Sequence, residues 1–405
     1  MGDSRCTPVA PLALKGVVQH YAWGSCGAGS LVARLSGLSS DSRPCAELWF
    51  GAHPKGAALA GDGSDSVRLD QLIASAPEAI LGKRVAAAFG DTLPFLFKIL
   101  SVGQALSIQA HPDRDNARKL HQERPEHYPD CNHKPEMAIA LSRMELLYGF
   151  RRVQEIIEQC AHTPELSAVI GAERLAALQQ AQGANVAAAL REVHRELLLG
   201  DQVTREKQLK LLSERLEGAV HDPHDLLAKK LLAVYGTTDT GILTSYIMNI
   251  CTLETGEAIW IGPNIPHAYL YGDMVECMAN SDNVVRAGLT GKFQDAEVLL
   301  AMLRYEESPP VRVGESRPPG VFQLREFDVP VREFRIAEIA GRGSVELHLN
   351  DGPALVFCLE GSVELTASGH TVSLTSGGAA IVPASALTFH VAASELCRIF
   401  KVTVP

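Results

Sequence analysis

The chain has 405 residues, of which 46% are hydrophobic and 21% charged, and its formal net charge at pH 7 is −10. It is too long for a single ordinary domain, so two or three domains are expected. The negative charge argues against general nucleic-acid binding, which depends on basic surface, although a few local cations are enough to bind a phosphorylated substrate. No apolar run approaches the roughly 18 residues of a membrane span, so no membrane partner is expected.

The N-terminus and the cysteines predict a cytoplasmic location. Residues 1–16 lack a basic region followed by an apolar segment, so no secretion signal is expected. The nine cysteines are scattered along the chain without a CxxC pair. This pattern favours reduced thiols in the cytosol over a disulfide framework.

Short strands are predicted over the first 150 residues of the chain. Apolar runs at 46–50 and 94–100 are bounded by turn residues, as strands usually are. Between them, residues 68–90 carry apolar side chains at roughly helical spacing, so a helical segment is expected there.

The character of the sequence changes near residue 152. From there to about 235 it is rich in helix-forming residues and poor in glycine, and Val153, Ile156 and Cys160 follow the spacing of one helix face. A helical insertion at 152–240 is therefore predicted.

Strand patterns return after the insertion and occupy three segments: 247–253, 258–261 and 274–278. A helix is predicted at 296–305, and the proline-rich segment 306–320 is typical of a linker. From 322 to 405, short strands recur at nearly regular spacing, which favours a small barrel or sandwich.

Two units, at 256–263 and 377–383, each place a glycine turn, an apolar strand and a proline in the order found in cupin barrels. The predicted fold class is mainly β with a helical insertion, built from cupin-type jelly-roll barrels. Residues 1–151 and 241–310 are expected to close one barrel, and residues 311–405 to form a second.

Gln109 and His111 lie two residues apart on a predicted strand, so both side chains point to one face. The apolar residues at 108 and 110 point to the other face, as expected of a strand that lines a polar cavity. A polar pair on a solvent-facing strand gives the same pattern, so these residues alone leave both interpretations open.

Lys134 and Glu136 form a second cluster, and Glu136 opens an apolar strand. A carboxylate beside an ammonium is usually an ion pair. In a cavity, however, a desolvated lysine loses its proton more easily and can serve as a base. The neighbouring His133 is interpreted as a surface or packing residue.

His267 and Tyr269 share one face of a third strand, which follows a turn with two prolines. Combined with Gln109, His111 and Glu136, this strand completes a set of two imidazoles, one carboxylate and one amide oxygen. Such a set suits zinc with a position open for substrate, although iron, manganese or cobalt can use the same ligands.

The segment 275–292 is dense in charged and turn residues. Glu276, Asp282, Arg286 and Lys292 would ordinarily belong to a solvated loop. Arg286, however, is flanked by apolar residues, and a charge so placed tends to have a buried partner or a ligand.

These clusters, in this order, resemble the type I phosphomannose isomerases, and the animal branch in particular. The similar stretches span residues 15 to about 295: 19–24, 46–54, 93–101, 106–112, 132–140, 149–151, 263–269 and 276–292. Residues after about 322 match only loosely.

The resemblance implies a cupin fold with a catalytic barrel, a helical insertion and a second barrel. It implies one zinc ion per chain, held by Gln109, His111, Glu136 and His267. It also implies that Arg286 is the catalytic arginine and that five further residues line the pocket: Lys134, Tyr269, Glu276, Asp282 and Lys292.

The implied reaction interconverts mannose 6-phosphate and fructose 6-phosphate through an enediolate and feeds mannose into GDP-mannose synthesis and glycosylation. Lys134 or Glu276 is the expected proton-transfer group, and Asp282 and Arg286 are expected to help open the sugar ring. The candidates for the substrate phosphate are Ser107, Lys98 and Lys292.

The expected partner is a small sugar phosphate, and a monomer is the expected state. Two other protein classes use similar residues: an iron-dependent cupin dioxygenase and a non-catalytic sugar-binding cupin. Bound metal and oxygen consumption separate the first from an isomerase. The intact ligand set and Arg286 argue against the second, since a binding protein has little need of a Lewis acid.

Overall fold

The computed structural model describes residues 10–61, 63–313 and 322–405. Two large antiparallel sheets form its framework, and most helices lie together between two strands of the first sheet in the sequence. Within the described residues, no helix combines the length and the apolar character that crossing a bilayer requires.

Among the described residues, the part before the helical insertion contains nine strands and five α-helices. The strands are β1 Leu12–Lys15, β2 Val17–Gln19, β3 Glu47–Gly51, β4 Leu59–Ala60, β5 Val67–Arg68, β6 Phe95–Val102, β7 Gln109–Ala110, β8 Glu136–Ala140 and β9 Met144–Phe150. The helices are α1 Leu31–Leu35, α2 Leu69–Ser75, α3 Pro77–Leu81, α4 Lys83–Phe89 and α5 Arg114–Glu123.

Helices follow one another between β9 and the next strand, in the part of the sequence where a helical insertion is predicted. Its helices are α6 Val153–His162, α7 Pro164–Ile170, α8 Ala172–Gln180, α9 Asn185–Leu199, α10 Gln202–Arg215, α11 Pro223–Tyr235 and α12 Gly241–Ser245. Their apolar faces share one core with Ile108, Ala110 and Val285, so the helices pack directly behind strands that carry site residues.

Sheet structure resumes after the insertion. The elements that follow are β10 Met248–Leu253, β11 Ala258–Ile261, β12 His267–Ala279, β13 Val285–Arg286, α13 Ala296–Met302 and β14 Arg312–Val313. The last strands are β15 Gln323–Phe327, β16 Arg335–His348, β17 Ala354–Glu360, β18 Ser362–Ala367, β19 His370–Thr375, β20 Ala379–Val382 and β21 Thr388–Thr403.

The first sheet joins strands from both sides of the helical insertion. Its main order is β14-β11-β8-β12-β6-β3-β2, while β9 and β7 pair with β12 and in turn with β10 and β13. Its central strand is β12, which pairs with β6 and β8 along one half and with β7 and β9 near His267. Strand β12 therefore connects most of the elements that bear the site.

The second sheet has the order β15-β16-β21-β17-β20-β1-β4-β5, with β18 and β19 attached to β21. It includes the first strand of the chain, because β1 pairs with β20 and places Leu12 opposite Ile381. The two sheets also share one core, in which the rings of Phe97 and Phe357 lie 5.4 Å apart. Among the described strands, neither order closes on itself, so closed barrels are not established by strand pairing.

Several elements differ from the sequence prediction. The helical segment at 68–90 is three helices, because Pro77 begins α3 and Gly82, with φ at +81°, ends it. Strand β12 begins seven residues before the predicted 274, since the neighbouring strands continue to pair with it past a register shift between Tyr269 and Tyr271. Helix α13 ends at Met302 rather than 305.

The predicted linker at 306–320 is only partly described. Its residues Arg312–Val313 form β14 and pair with β11. The remainder of the prediction, from residue 314 onward, lies outside the described residues.

Candidate active site and metal centre

Three short antiparallel pairings bring the predicted site residues together. Strand β7 places Gln109 opposite His267 of β12 on one side and opposite Arg286 of β13 on the other. Glu136 is the first residue of β8, which lies against β12. Residues separated by more than 170 positions in sequence thus meet at one end of the first sheet.

His111, Glu136 and His267 form a buried group whose possible ligand atoms lie within 4.8 Å of one another. Oε2 of Glu136 is 3.2 Å from Nε2 of His111, and Oε1 is 3.1 Å from Nε2 of His267. All three side chains are almost completely inaccessible to solvent. Two imidazoles and a carboxylate that converge in this way are a donor set suited to zinc.

Each imidazole is oriented by a backbone carbonyl on its far side. Nδ1 of His111 lies 2.9 Å from the carbonyl oxygen of Asn283, and Nδ1 of His267 lies 3.0 Å from that of Ile265. A carbonyl only accepts, so each Nδ1 carries the proton and each Nε2 keeps a free lone pair toward Glu136. Both tautomers are therefore the ones that a metal at Nε2 requires.

The electrostatics also favour a metal-binding state. Burial, helped by the charge of Lys134, lowers the pKa of His111 to about 4, so its imidazole is neutral near pH 7. Nε2 of His111 is buried and, among the described residues, makes no hydrogen bond of acceptable geometry. A buried lone pair without a donor fits a metal ion.

Gln109 and Tyr269 surround the same group. Nε2 of the Gln109 side-chain amide is 3.4 Å from Nε2 of His267. A rotation of the amide by about 180° exchanges its nitrogen and oxygen, so that the oxygen faces the space between the ligand atoms. The hydroxyl of Tyr269 donates to Oε1 of Glu136 at 3.2 Å. Burial, together with Glu136 and Glu276, raises the pKa of Tyr269 well above its usual value, which keeps the phenol protonated as a donor.

The metal group lies at the wall of a cavity of about 640 Å³, here called the main cavity. Two predicted ligands, Gln109 and Glu136, line it, whereas His111 and His267 lie behind the wall. All the other predicted site residues line it as well: Lys98, Ser107, Lys134, Tyr269, Glu276, Asp282, Arg286 and Lys292.

Lys98 is held by two carboxylates in the cavity wall. Its Nζ is 2.7 Å from Oε2 of Glu276 and 3.4 Å from Oε2 of Glu47, and all three side chains are buried. Burial alone would lower the pKa of Lys98, but Glu276 and Glu47 outweigh it and raise the pKa. Lys98 is therefore a charged lysine whose charge is already compensated by the protein.

Lys134 and Arg286 are cations of a different kind. Burial lowers the pKa of both side chains, although Arg286 stays charged at any physiological pH. Within residues 10–61, 63–313 and 322–405, neither has a carboxylate within the 4.0 Å of an ion pair. Both can therefore interact with a ligand in the main cavity.

Asp282 has partners that the sequence reasoning did not identify. Its carboxylate lies 3.4 Å from Nε2 of His53 and 2.9 Å from Nζ of Lys55. Burial raises the pKa of Asp282, but these two partners outweigh it and hold the pKa well below its usual range. His53 has no ligand-like companion in the sequence, yet the fold makes it the partner of a predicted catalytic residue.

Two further residues of the cavity wall, Glu47 and Trp49, were also missed, although they belong to the similar stretch 46–54. They alternate on β3, and the Trp49 indole donates to Oε2 of Glu47. The period-two spacing of a polar and an aromatic residue inside a buried strand was the available signal.

Lys292 and Ser107 lie in other parts of the cavity lining. Nζ of Lys292 is 5.3 Å from the centre of the Tyr21 ring, a cation–π arrangement. The Ser107 hydroxyl is 3.4 Å from Oε1 of Gln109, so it lies beside a predicted metal ligand. Burial and the neighbouring Arg286 lower the pKa of Lys292.

Comparison with known proteins identifies a family that this chain resembles along most of its length. Residues 12–153 match the family described as phosphomannose isomerase type I, catalytic domain. The mannose-6-phosphate isomerase of Mus musculus is 40% identical over 413 residues, which cover 96% of this chain and 95% of that protein. The mannose-6-phosphate isomerase of Bos taurus is 41% identical and covers 91% of this chain and 92% of its own.

Solved structures agree with the sequence relatives. A crystal structure of zinc-bound mannose 6-phosphate isomerase superposes with a TM-score of 0.84 at 28% identity, over 97% of this chain and 99% of that chain. The similarity extends over the first sheet, the helical insertion and the second sheet. The chain belongs to the type I phosphomannose isomerase family of mannose-6-phosphate isomerases.

Proposed function

We propose that this chain interconverts mannose 6-phosphate and fructose 6-phosphate and requires one zinc ion held by Gln109, His111, Glu136 and His267. The observation that carries the proposal is the convergence of three buried ligand side chains within 4.8 Å at the wall of a cavity that also contains Arg286. The family relationship supplies the substrate, since the relatives that cover almost the whole chain are mannose-6-phosphate isomerases.

The donor set supports zinc in particular. Two imidazoles, one carboxylate and one amide oxygen leave a position open for substrate, as catalytic zinc sites do. When bound, zinc supplies a Lewis acid that lowers the cost of negative charge on an adjacent sugar oxygen. Arg286 offers a permanent second positive charge in the same cavity, so its guanidinium is positioned to bind the sugar oxygens near the reacting carbons.

Isomerisation moves one proton between two neighbouring carbons. A base removes the proton from C2 of the open-chain aldose to give an enediolate, the O2 hydroxyl proton passes to O1, and a proton returns to C1 to give the ketose. Lys134 is suited to this role because burial lowers its pKa toward a neutral amine. Glu276 is the alternative, since burial raises its pKa even beside Lys98 and allows its carboxyl to carry a proton.

Ring opening precedes this step. Asp282 is an ionised carboxylate at the cavity wall, and His53 contacts it from behind. We assign Asp282 and Arg286 to the opening of the sugar ring, with Asp282 accepting the anomeric hydroxyl proton. Tyr269 is assigned to the support of Glu136 through its 3.2 Å hydrogen bond.

The substrate phosphate needs cationic or donor groups that are not already neutralised. Lys98 fits poorly, because Glu276 and Glu47 already compensate its charge. We therefore assign the phosphate to Lys292 and Ser107 in preference to Lys98. The Lys292 ammonium faces no carboxylate within 4.0 Å in the described part of the chain.

The proposal extends to domain organisation, metabolic role and location, as the sequence predicts them. The two sheets correspond to cupin-type barrels, bounded at 1–151 and 241–310 for the catalytic barrel, 152–240 for the insertion and 311–405 for the second barrel. The product supports GDP-mannose synthesis and glycosylation. The protein acts in the cytoplasm as a monomer.

The test is to mix the zinc-loaded protein with mannose 6-phosphate in deuterated water and follow the sugar by NMR. Fructose 6-phosphate that carries deuterium at C1 supports proton transfer through an enediolate with solvent exchange. Fructose 6-phosphate without deuterium argues for a shielded proton or a hydride shift. Absence of fructose 6-phosphate with a fully loaded metal site would contradict the proposed reaction.

A further inference from the structure

The loop Ser281–Asn283, between β12 and β13, makes two contacts on which the candidate site depends. The carbonyl oxygen of Asn283 accepts the hydrogen bond from Nδ1 of His111 at 2.9 Å. The carboxylate of Asp282 contacts His53 in the cavity wall. The position of this loop therefore sets both the orientation of one ligand imidazole and the location of the proposed ring-opening base.

Asp130 holds this loop although it is not among the residues that line the main cavity. Its Oδ1 accepts from the Ser281 hydroxyl at 2.8 Å, and its Oδ2 accepts from the backbone N–H of Asp282 at 2.8 Å. The side-chain amide of Asn283 donates to the Asp130 carbonyl at 2.6 Å and lies 3.2 Å from Oδ1. All three residues of the loop are thus bonded to one aspartate.

The same aspartate connects the loop to the segment that leads into Lys134 and Glu136. Oδ1 of Asp130 accepts from the backbone N–H of Asn132 at 2.9 Å. The Asn132 carbonyl in turn accepts from the Asn283 amide at 2.9 Å. Asp130 therefore sets the relative position of two segments that carry different parts of the site.

This arrangement requires a side chain that accepts hydrogen bonds at both of its terminal atoms. Four donors converge on its two oxygens: the Ser281 hydroxyl, the Asn283 amide and the backbone N–H groups of Asp282 and Asn132. A carboxylate accepts at both oxygens, whereas asparagine accepts at only one and donates at the other. An asparagine at 130 would turn a donor toward the Ser281 hydroxyl or the Asp282 N–H.

We propose that Asp130 is a positioning residue for the metal site, which holds the Asn283 carbonyl so that His111 is pre-set to bind the metal through Nε2. The proposal rests on the proposed zinc site. Groups that orient a ligand histidine from outside typically contribute a factor of about 10–100 to metal affinity. Asp130 acts one step further out, so the lower end of that range is expected.

The experiment compares the zinc affinity of the wild-type enzyme and Asp130→Asn, by competition with a chromophoric chelator. The variant is expected to bind zinc about tenfold more weakly. Thermal unfolding is measured for each protein with and without zinc. A general structural defect lowers both midpoints equally, whereas a positioning defect reduces the difference that zinc makes between them.

Asp222→Asn is the matched control. Asp222 caps α11 by accepting from the N–H groups of His224 and Asp225, both at 2.9 Å, and it does not line the main cavity. This control is expected to lower the midpoints with and without zinc together and to leave zinc affinity unchanged. Ser281→Ala removes one of the four hydrogen bonds and is expected to weaken zinc binding in the same direction by less than Asp130→Asn.

Zinc affinity of Asp130→Asn within twofold of the wild type would overturn the inference, as would equal shifts of both midpoints. If Asp130→Asn does not fold, unchanged zinc affinity in Ser281→Ala overturns it. In these cases a wild-type enzyme that binds zinc and isomerises mannose 6-phosphate leaves the proposed function intact. A wild-type protein that binds no zinc contradicts both.

Discussion

Nζ of Lys98 lies 2.7 Å from Oε2 of Glu276 in the wall of the main cavity, and both side chains are almost fully buried. Glu47 approaches the same ammonium to 3.4 Å, so one buried cation serves two buried carboxylates. The group therefore places two carboxyl groups around a single ammonium beside the proposed metal site. Its stability depends on the lysine more than on either glutamate.

Lys98→Met is therefore expected to destabilise the protein by about 3–5 kcal/mol, because it leaves two carboxylates buried without a cation. Glu276→Gln should cost clearly less, since Lys98 keeps Glu47 as a partner. Urea unfolding of the metal-free proteins measures both. Arg195→Gln, which breaks the exposed ion pair with Glu297, is the control and should have little effect. Equal losses of unfolding free energy in Lys98→Met and Glu276→Gln would show that charge balance does not determine the stability of this group.

Lys134→Met tests the assignment of the proton-transfer group. If Lys134 moves the proton, kcat should fall by about 10²–10⁴-fold while zinc content stays at one ion per chain. Lys229→Met, on the exposed face of α11, is the matched control and should be active. Nearly full turnover by Lys134→Met would exclude Lys134 as the base and leave Glu276.

Lys292→Gln separates phosphate binding from chemistry. Loss of a charged hydrogen bond to the phosphate should raise the KM for mannose 6-phosphate about tenfold or more, with kcat within twofold of the wild type. Steady-state kinetics over a wide substrate range provides both constants. A large fall in kcat at unchanged KM would instead place Lys292 in the chemical step.

Stability should depend on pH through buried histidines, and His194 provides a case remote from the proposed metal ligands. It is fully buried in the helical insertion with Nδ1 3.0 Å from the Tyr305 hydroxyl, and burial lowers its pKa to about 3. Between pH 6.5 and 3 the unfolded chain binds a proton at His194 that the folded protein does not bind. The stability that neutral His194 allows is therefore fully present above pH 6.5 and is lost as the pH falls.

Below pH 6.5, the free energy of unfolding should therefore fall by about 1.4 kcal/mol per pH unit because of His194. Urea unfolding of the wild type and His194→Gln at several pH values measures the difference. The variant should show a shallower loss over this window. Parallel curves would mean that His194 does not remain neutral in the folded protein.

Local pattern singled out several residues that the structure brings together. Alternation along predicted strands drew attention to Gln109 and His267, which the structure places opposite each other on β7 and β12. Local pattern could not predict that Glu136 lies close to these strands, because their proximity depends on pairing between distant segments. The resemblance to a family supplied this step and implied the roles of the four ligands and of Arg286.

Most of the missed features are non-local. His53 and Asp282 are more than 200 positions apart, and no spacing rule connects them. Pairing of β1 with β20 joins opposite ends of the chain, whereas sequence patterns define strands without defining their partners. Pro77 and Gly82 are local signals of a helix start and a helix end. The apolar periodicity of 68–90 continues across both residues and therefore predicts one helical segment where the structure has three helices.

The central claim is that the metal held by His111, Glu136, His267 and Gln109 is required for isomerisation of mannose 6-phosphate. The direct measurement removes the metal with a strong chelator, dialyses the chelator away, and follows conversion to fructose 6-phosphate before and after zinc is added. The account predicts that activity disappears with the metal and returns at one zinc ion per chain. Full isomerase activity in protein shown to contain no metal would contradict it.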